Sequence, residues 1–435
     1  MNKAEIMTKR HDKKCPQAPR LRFPEFRDEW HSQALGAIAS IIKEKVGNKK
    51  CTLMSIMTGV GLIPQIDKFG KEIAGDQYKN YIIIRNNDFA YNKSATKGYP
   101  QGFIALYTGS EIAAVPNSIF TCFKIQPESI VPAYLNYLFL GNFHGKWLQR
   151  YITVGARAHG SLSIDDDDLL SLPIPYPKGV SPLGEQQRIA DCLSSLDERI
   201  AAETNKLDAL KDHKKGLLKQ LFPAEGETLP RLRFPEFLDA GEWEDKILGN
   251  ICEKIMDGTH FSPKSKCGPF LYVTSKNIQN GLLDLSNASS ISEEEHRQIF
   301  SKCPVKINDI LLTKDGANTG NCALNNLDFE FSLLSSVAVL RCKKEYAIQE
   351  FIYYTIASPL FQKKIKESIS GQAITRITLE KIGSYRFFSP KKFEQQRIAD
   401  CLSSLDALIT AQTQKINLLK DHKKGLMQRL FPRID

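Results

Sequence analysis

The feature that most constrains this chain is an internal duplication. Residues 185–223 read EQQRIADCLSSLDERIAAETNKLDALKDHKKGLLKQLFP, and residues 394–432 repeat that segment with 28 of 39 positions identical. A shorter block, RLRFPEF, occurs at residues 20–26 and again at residues 231–237. Because repeated sequence gives repeated architecture, the chain is predicted to use one fold twice.

The repeated blocks enclose two long segments that are much less alike, which predicts a duplicated scaffold carrying two different surfaces. A chain of 435 residues has room for two to four folding units. The predicted boundaries are an N-terminal tail at residues 1–19, a first variable domain at 20–180, a central conserved helix at 181–223, a second variable domain at 224–389, and a C-terminal conserved helix at 390–435.

The conserved segments are predicted to form long helices with a coiled-coil seam. Leucine and isoleucine recur in them at alternating spacings of three and four. Each helix would have about 37 residues and a length of about 55 Å, and Pro223 and Pro432 would end them. The predicted seam consists of Ile189, Leu193, Leu196, Ile200, Leu207, Leu210, Leu217, Ile398, Leu402, Leu405, Ile409, Ile416, Leu419 and Leu426.

Four polar residues, Glu203, Gln412, Lys214 and Lys423, interrupt the seam. Such positions commonly fix the register of a coiled coil. Because a whole domain separates the two copies, we expect an antiparallel pair that holds the variable domains apart. The alternative is that each helix packs on its own domain as an ordinary amphipathic helix. The basic run KDHKK near each C-terminal end either complements the helix dipole or docks another subunit.

Both variable segments mix short apolar runs with Gly, Asn and Pro, which predicts strands and hairpins. Helical spans are predicted near residues 132–151 and 348–368, where aromatic and aliphatic residues suit a core. The predicted class is therefore α+β, with two tandem domains separated by the two long helices.

Polar residues in the predicted loops of these domains are candidates for contacts with nucleic acid. Arginine and asparagine read base edges, whereas lysine mostly positions phosphates. The alternative for each is an ordinary solvated surface residue. The candidates are Lys93, Lys97, Tyr99, Arg157, His159, His260, Lys276, Asn277, Lys314 and Arg376.

Composition favours a polyanionic partner, because 59 basic against 49 acidic residues give a net charge of +10. The 10 cysteines form no CxxC pair or Cys/His cluster, which predicts free thiols in a reducing compartment and no metal site. No window resembles a membrane span and the N-terminus lacks a signal-peptide pattern, so the chain is predicted to be cytoplasmic.

The sequence lacks the motifs of an enzyme that acts on nucleic acid. Residues 141–146 only superficially resemble a phosphate-binding loop, with the wrong spacing and no hydroxyl residue. The Asn/Asp-Pro-Pro-aromatic motif of amino-methyltransferases is also missing. The run of aspartates at residues 165–168 predicts a solvated turn or a helix start. The chain is therefore predicted to be non-catalytic.

Together these features resemble the specificity (S) subunits of type I restriction-modification systems. The resemblance rests on the twin LRFPEF blocks followed by Trp30 and Trp243, and on the twin EQQRIADCLSSLD and LKDHKKGL segments. It also rests on the DGTH sequence at 257–260, on Lys276-Asn-Ile and on the NDILLTK sequence that ends at Lys314. It covers essentially the whole chain after about residue 20.

The resemblance implies that the variable domains are target-recognition domains, each reading one half of a split, asymmetric site in double-stranded DNA. The helices would act as a ruler and as docking surfaces for two modification (M) subunits. Those subunits would methylate adenine with S-adenosylmethionine, and restriction (R) subunits would use ATP and Mg²⁺, so this chain itself needs no cofactor. The rivals are a coiled-coil interaction adaptor with no DNA role, and an enzyme that both recognises and modifies.

Overall fold

Two units of the chain each combine one variable segment with parts of both long helices. Unit 1 comprises Met1–Glu203 with Lys415–Asp435, and unit 2 comprises Thr204–Gln414. Strands and helices are mixed in both, so the predicted α+β class is confirmed. The computed structural model describes residues 18–57, 59–126, 128–154, 162–179, 181–279, 281–369 and 375–432.

Unit 1 contains the first twelve strands and the first four short helices of the described chain. The strands are β1 (Trp30–Ala34), β2 (Ala39–Ile41), β3 (Thr52–Met57), β4 (Gly61–Pro64), β5 (Ile82–Ile84), β6 (Asp88–Asn92), β7 (Phe103–Leu106), β8 (Ala113–Val115), β9 (Phe120–Ile125), β10 (Thr153–Val154), β11 (Leu162–Ser163) and β12 (Pro173–Pro177). The helices are α1 (Gln65–Phe69), α2 (Pro132–Leu140), α3 (Phe143–Leu148) and α4 (Asp166–Leu170). The long helix α5 (Pro182–Gln220) begins in unit 1 and continues into unit 2.

Unit 2 contains the remaining strands and short helices. The strands are β13 (Glu244–Ile247), β14 (Cys252–Asp257), β15 (Phe270–Val273), β16 (Ile278–Gln279), β17 (Leu282–Leu283), β18 (Ser289–Ile291), β19 (Ile310–Thr313), β20 (Cys322–Leu324), β21 (Ser332–Leu333), β22 (Val337–Cys342) and β23 (Arg386–Ser389). The helices are α6 (Leu248–Ile251), α7 (Glu293–Phe300), α8 (Gln349–Ala357), α9 (Pro359–Ile369) and α10 (Leu379–Ser384). The second long helix, α11 (Lys392–Leu430), begins in unit 2 and ends in unit 1.

The two units share one sheet topology. An antiparallel sheet has the order β2-β9-β6-β7 in unit 1 and the matching order β14-β22-β19-β20 in unit 2. A second sheet contains a parallel pair in each unit, β3 with β8 and β15 with β21. A short antiparallel ribbon, β1 with β12 or β13 with β23, precedes the long helix. The duplication seen in the sequence is therefore a duplication of topology.

Both helical spans predicted in the variable segments are divided. In unit 1 the division falls after α2, where Asn142 adopts a left-handed conformation with φ of 56°. In unit 2 it falls at Pro359, which begins α9, because proline cannot donate the hydrogen bond that would continue α8. The predicted aspartate run forms the start of α4, as expected for acidic residues in a first helical turn.

The long helices expose none of the fourteen predicted seam residues. In α5, Ile189 and Leu193 are fully buried in the core of unit 1, and in α11, Ile398 and Leu402 occupy the matching place in unit 2. By contrast, Leu418, which lies off the seam, is 70% exposed. The first turns of each helix thus pack on their own domain, which was the alternative expectation, while the later turns contribute to the other unit.

The polar interruptions of the seam make specific pairs inside each unit. In unit 1, Lys423 Nζ lies 2.5 Å from an Asp197 carboxylate oxygen, and Lys415 pairs with Glu203. As the residue number rises along α5 it falls along α11, so the helices are antiparallel, as predicted. The Tyr137 hydroxyl donates to the other oxygen of Asp197 at 2.8 Å, and burial raises the pKa of this phenol.

Unit 2 repeats this arrangement with the helices in exchanged roles. Lys214 of α5 lies 2.5 Å from Asp406 of α11, and the Tyr354 hydroxyl donates to the same carboxylate at 2.7 Å. Each lysine also lies over the ring of its tyrosine, at 5.1 Å from the centroid in unit 1 and 5.5 Å in unit 2. A buried phenol, a carboxylate and a lysine therefore fix the helix register twice.

The ends of the helices close the two cores. Phe431, just after α11, packs its ring 5.3 Å from the ring of Tyr134 in unit 1. Phe222, just after α5, lies 5.5 Å from Phe351 in unit 2. In unit 1 the Leu21 N–H of the first RLRFPEF block donates to the last turn of α11 at 3.0 Å. Each core is therefore built from both repeats.

Both RLRFPEF blocks are anchored by ion pairs with little exposure to solvent. Arg233 donates two hydrogen bonds of 2.8 Å to Glu394 of α11, and both side chains are less than a tenth exposed. Arg22 makes the same bidentate contact with Glu185 of α5, at 2.8 and 2.7 Å. Two parallel hydrogen bonds give such a pair directional strength, which explains why the RLRFPEF block is repeated.

We predict that Phe431→Ala destabilises unit 1 by about 3–5 kcal/mol, because it leaves a cavity beside Tyr134 in a core that cannot collapse fully. Hydrogen exchange of the full chain measures this for each unit separately, and only unit 1 amides should lose protection. Leu418→Ala, on the exposed side of the same helix, is the control and should cost less than about 0.5 kcal/mol. Equal effects of the two variants would contradict the closed core.

Candidate nucleic-acid interface

The charged residues predicted in unit 2 lie at the ends of neighbouring strands. β14 ends at Asp257, and the chain beyond it stays hydrogen-bonded to β21, because the Thr259 N–H donates to the Leu333 carbonyl at 2.8 Å. A side chain at Gly258 would meet that carbonyl oxygen at 2.0 Å, so only glycine fits between them. This close approach fixes where His260, two residues after Gly258, leaves the sheet.

Two more strands, β19 and β22, position the other charged residues. β19 leads into Lys314, whose N–H donates to the Ser336 carbonyl at 2.9 Å ahead of β22. The Lys314 carbonyl accepts from the Ile377 N–H at 2.8 Å, and Asp315 forms a bridge with Arg376. Residues far apart in the sequence are thereby brought to one place.

These side chains form a row of alternating charge. His260 Nε2 lies 3.6 Å from Asp257, and Lys314 Nζ lies 3.2 Å from the same carboxylate oxygen. Lys314 Nζ also lies 3.7 Å from Asp315, which lies 3.4 Å from Arg376 Nε. We call these five residues the charged row. Three of them, His260, Lys314 and Arg376, were predicted as DNA contacts.

Burial separates the members of the charged row by role. The Lys314 side chain is 3% exposed and that of Asp257 is 15% exposed, whereas Arg376 is 49% and His260 66% exposed. A buried cation between two carboxylates holds its neighbours in place and cannot reach a ligand. The exposed ends of the row, His260 and Arg376, are the groups available for contact.

The predicted pair Lys276 and Asn277 also divides into an exposed and a buried residue. Asn277 is buried and forms a capping box with Thr274, whose N–H donates to the Asn277 side-chain oxygen at 2.9 Å. Its amide also donates to the Asp284 carbonyl at 3.0 Å, so this asparagine is engaged by the protein. Lys276 is exposed on the short helical turn. The N–H of the preceding residue, Ser275, donates to Ser336 Oγ, beside the charged row.

Unit 1 presents Lys93 at the place that Lys314 occupies in unit 2. The Lys93 N–H donates to the Ile119 carbonyl at 2.8 Å and its carbonyl accepts from the Leu162 N–H at 2.9 Å, as in the other unit. Asn87 and Asn308, six residues earlier, both have φ of 68°. The similarity between these two segments is therefore structural, and Lys93 is half-buried where Lys314 is enclosed.

Tyr99 and Lys97 lie in the loop that follows Lys93. The Tyr99 hydroxyl donates to the Leu140 carbonyl at 2.9 Å, its ring lies edge-on to Phe103 at 4.6 Å, and burial raises its pKa. Tyr99 therefore packs the loop onto the domain, while Lys97 is exposed. Two other predicted contacts of unit 1, Arg157 and His159, lie outside the described residues.

A hairpin that was not predicted as a contact borders this loop. Met57 at the end of β3 is 42% exposed and Val60, just before β4, is 65% exposed. Ile56 of the same hairpin lies in one hydrophobic cluster with Tyr99 and Phe103. We call Met57 and Val60 the apolar tip. Glycines that alternate with apolar residues in this stretch were the signal that could have identified it.

The comparison with known protein families gives this interface its context. The family described as "Type I restriction modification DNA specificity domain" matches residues 28–212 and 240–421, which is one match for each repeat. The chain belongs to this family. It is thus a type I restriction-modification specificity subunit, which implies recognition of DNA sequence, and such subunits are non-catalytic components of these systems.

Relatives and solved structures agree with this assignment. A protein named as a putative type I restriction enzyme MjaX specificity subunit, from Methanocaldococcus jannaschii, is 26% identical, and the match covers 94% of each chain. The MjaVIII specificity subunit of the same organism is 23% identical over 66% of this chain and 67% of its own.

Two solved structures share the fold. The type I restriction-modification S subunit from M. genitalium matches with a TM-score of 0.57 and 16% identity, over 96% of this chain and all of the other. A chain from a structural study of complex assembly and conformational transition of the type I R-M system matches with a TM-score of 0.53 and 18% identity. The match covers 94% of this chain and 99% of the other.

Two kinds of feature are absent from the described ranges. No group of three or more His, Cys, Asp or Glu residues there is arranged to hold a metal ion. Among the helices of those ranges, none combines the length and the apolar character that a membrane crossing requires.

We predict that Lys314→Met destabilises unit 2 by about 3–5 kcal/mol, because two enclosed carboxylates lose the cation between them. Urea unfolding of the full chain measures the change. Lys276→Met removes an equal charge from an exposed position and should change stability by less than about 0.5 kcal/mol. If the two variants unfold alike, Lys314 is not the centre of the charged row.

Proposed function

We propose that this chain directs a type I restriction-modification complex to a split, asymmetric DNA target, with one unit reading each half. The observation that carries the proposal is that one topology presents different side chains at the same strand ends. The proposed target-recognition domains are residues 20–180 and 224–389, with conserved helices at 181–223 and 390–435 as the spacer. An N-terminal tail at residues 1–19 stays a prediction.

We infer that the DNA contacts come from the exposed members of the candidate set. These are Lys97 in unit 1 and His260, Lys276 and Arg376 in unit 2, with Lys93 half-buried beside them. Arginine can read a base edge with two hydrogen bonds, and lysine neutralises phosphates. Tyr99, Asn277 and Lys314 would shape the surface from within, and Arg157 and His159 remain predicted contacts of unit 1.

The two halves of the target would be read by different chemistry. In unit 2 the chain after β15 carries Lys276 next to the charged row, which suits phosphates and polar base edges. In unit 1 the chain after the matching strand, β3, carries the apolar tip, formed by Met57 and Val60. A two-stranded ribbon fits the major groove, where thymine alone among the four bases of DNA presents a methyl group. We infer that the apolar tip contacts thymine.

The helices would dock two copies of one partner. Exposed residues usually drift after a duplication because their substitution costs little stability. Here the middle of the helices has drifted, whereas exposed residues near both ends are identical in the two copies and exposed in both. They are Gln187 and Gln396, Arg188 and Arg397, Asp191 and Asp400, Ser195 and Ser404, Lys211 and Lys420, Asp212 and Asp421, His213 and His422, and Lys215 and Lys424.

Two identical surfaces suit two identical modification subunits, which would bring S-adenosylmethionine and the methyl-transfer chemistry. Restriction subunits, with ATP and Mg²⁺, would join the complex that results. Because such a complex acts on the DNA of the cell that makes it, we propose a cytoplasmic location. The rival function is that of a coiled-coil interaction adaptor with no role on DNA. Under that function no methylated motif is expected.

The test is to purify the chain with its modification subunits and to map methylated adenines in DNA from cells that express the complex. We expect a two-part motif. Exchange of residues 20–180 for the matching segment of another specificity subunit should change one part and leave the other intact. A change in both parts, or a single undivided motif, would contradict reading by separate units.

A second test concerns the apolar tip and uses the complex on a duplex that carries the mapped motif. Replacing one thymine by deoxyuridine removes only its methyl group and should weaken binding about fourfold, because a buried methyl contributes about 0.8 kcal/mol. Val60→Ser should abolish this sensitivity. Leu238→Ser, at a 64% exposed position of unit 2, is the control and should keep it. If the Val60→Ser variant still binds the deoxyuridine duplex more weakly than the thymine duplex, the apolar tip does not read thymine.

A further inference from the structure

Two cysteines of unit 2 face each other across neighbouring strands. Cys252 begins β14 and is the register partner of Cys342, the last residue of β22. The Lys343 N–H donates to the Ile251 carbonyl at 2.9 Å, so the cysteine pair lies next to a hydrogen-bonded rung and is itself in a non-hydrogen-bonded position. Such pairs bring their α-carbons to about 4.5 Å, the closest approach in an antiparallel sheet.

That spacing lies within the range that a disulfide spans, about 4.4–6.8 Å between α-carbons. The neighbouring Cys252 side chain contributes to the raised pKa of the Cys342 thiol, which agrees with two side chains that face each other across the strands. Both cysteines are free and buried, and neither takes part in the proposed DNA interface. The register shifts between Cys252 and Lys254, next to the pair, but Cys252 and Cys342 themselves stay directly opposite each other.

Unit 1 offers a direct comparison, because its matching pair is Ala39 with Ile125. There the Gln126 N–H donates to the Ile38 carbonyl at 2.8 Å, the same rung as in unit 2. The scaffold thus accepts ordinary apolar residues at these positions. A facing pair of thiols occurs in one of the two units, at positions where the shared fold does not require sulfur.

We propose that Cys252 and Cys342 are a modification site, which closes to a disulfide when the protein meets a small-molecule disulfide such as oxidised glutathione. One protein thiolate attacks the small disulfide, releasing a glutathione thiol and leaving a mixed disulfide. The second cysteine then attacks the protein sulfur of that bond and releases a second thiol. Two protein thiols are oxidised, one glutathione disulfide is reduced, and two protons move to the departing thiols.

The surroundings set the conditions for this reaction. The neighbouring Cys252 thiol, together with burial, raises the pKa of the Cys342 thiol well above its usual range, so the reactive thiolate is scarce. Access comes through β14, which is an edge strand of its sheet. The pair should therefore respond slowly, to sustained oxidation. Once formed, the bond ties the edge strand that carries Asp257 to its neighbour.

The test treats the full chain with oxidised glutathione, blocks remaining thiols after denaturation, and maps the peptides by mass. We expect one cross-linked peptide pair that contains Cys252 and Cys342, lighter by two hydrogens than the reduced pair. The oxidised chain should also show a higher midpoint for thermal unfolding of unit 2, because the bond closes a loop between positions 90 residues apart. Unit 1 should be unchanged.

Cys252→Ala is the matched variant, because it installs the residue that unit 1 carries, and it should fold while losing both the cross-link and the stabilisation. If the blocking reagent still modifies both Cys252 and Cys342 completely after prolonged oxidation, both thiols have stayed reduced and the proposal is overturned. A cross-link from either cysteine to the exposed Cys267 in its place would overturn it as well. Because these readouts use no DNA, they stand or fall separately from the proposed recognition of a split target.

Discussion

The whole arrangement depends on a pair of partly buried contacts between charges on two different helices. Lys423 reaches Asp197 in unit 1, and Lys214 reaches Asp406 in unit 2. A slip of one residue along either helix would turn its lysine by about 100° and remove it from the carboxylate. The apolar seam alone tolerates several registers, so these polar pairs are what specify one.

Once the register is set, the cores follow. The chain just after each long helix places an aromatic ring into a domain whose sheets come from the other repeat, as Phe431 does in unit 1 and Phe222 in unit 2. Packing a large ring removes substantial apolar area from water. Neither variable segment completes its own core, which explains why the repeated blocks vary so much less than the segments between them.

The sequence was sufficient to predict features that depend on local periodicity. The heptad spacing identified two long helices, the domain between the two copies indicated their antiparallel orientation, and the prolines at their ends marked where they stop. Short apolar runs indicated strands, and the class of fold followed. The divided helices were missed because Asn142 and Pro359 act through single backbone conformations, which a count of apolar residues does not register.

The candidate site was harder to predict because it depends on contacts between distant segments. Asp257 stands beside Lys314 only after distant strands have been aligned, so the enclosure of that lysine could not be read from Asp315, its neighbour in sequence, alone. The same applies to Asn277, whose amide is taken up by the backbone around it. Residue type indicated polarity, and tertiary structure decided exposure.

The paired phenols have a consequence for building chimeras. Tyr137 lies inside the variable segment, yet its hydroxyl binds the aspartate that holds Lys423, and Tyr134 one turn earlier receives Phe431. A foreign segment grafted between the repeated blocks must therefore bring two aromatic rings spaced one helical turn apart, the second with a hydroxyl. Segments that meet this rule are compatible modules, whatever loops they carry, and those that break it leave an unfilled core and a carboxylate that has lost one of its hydrogen-bond donors.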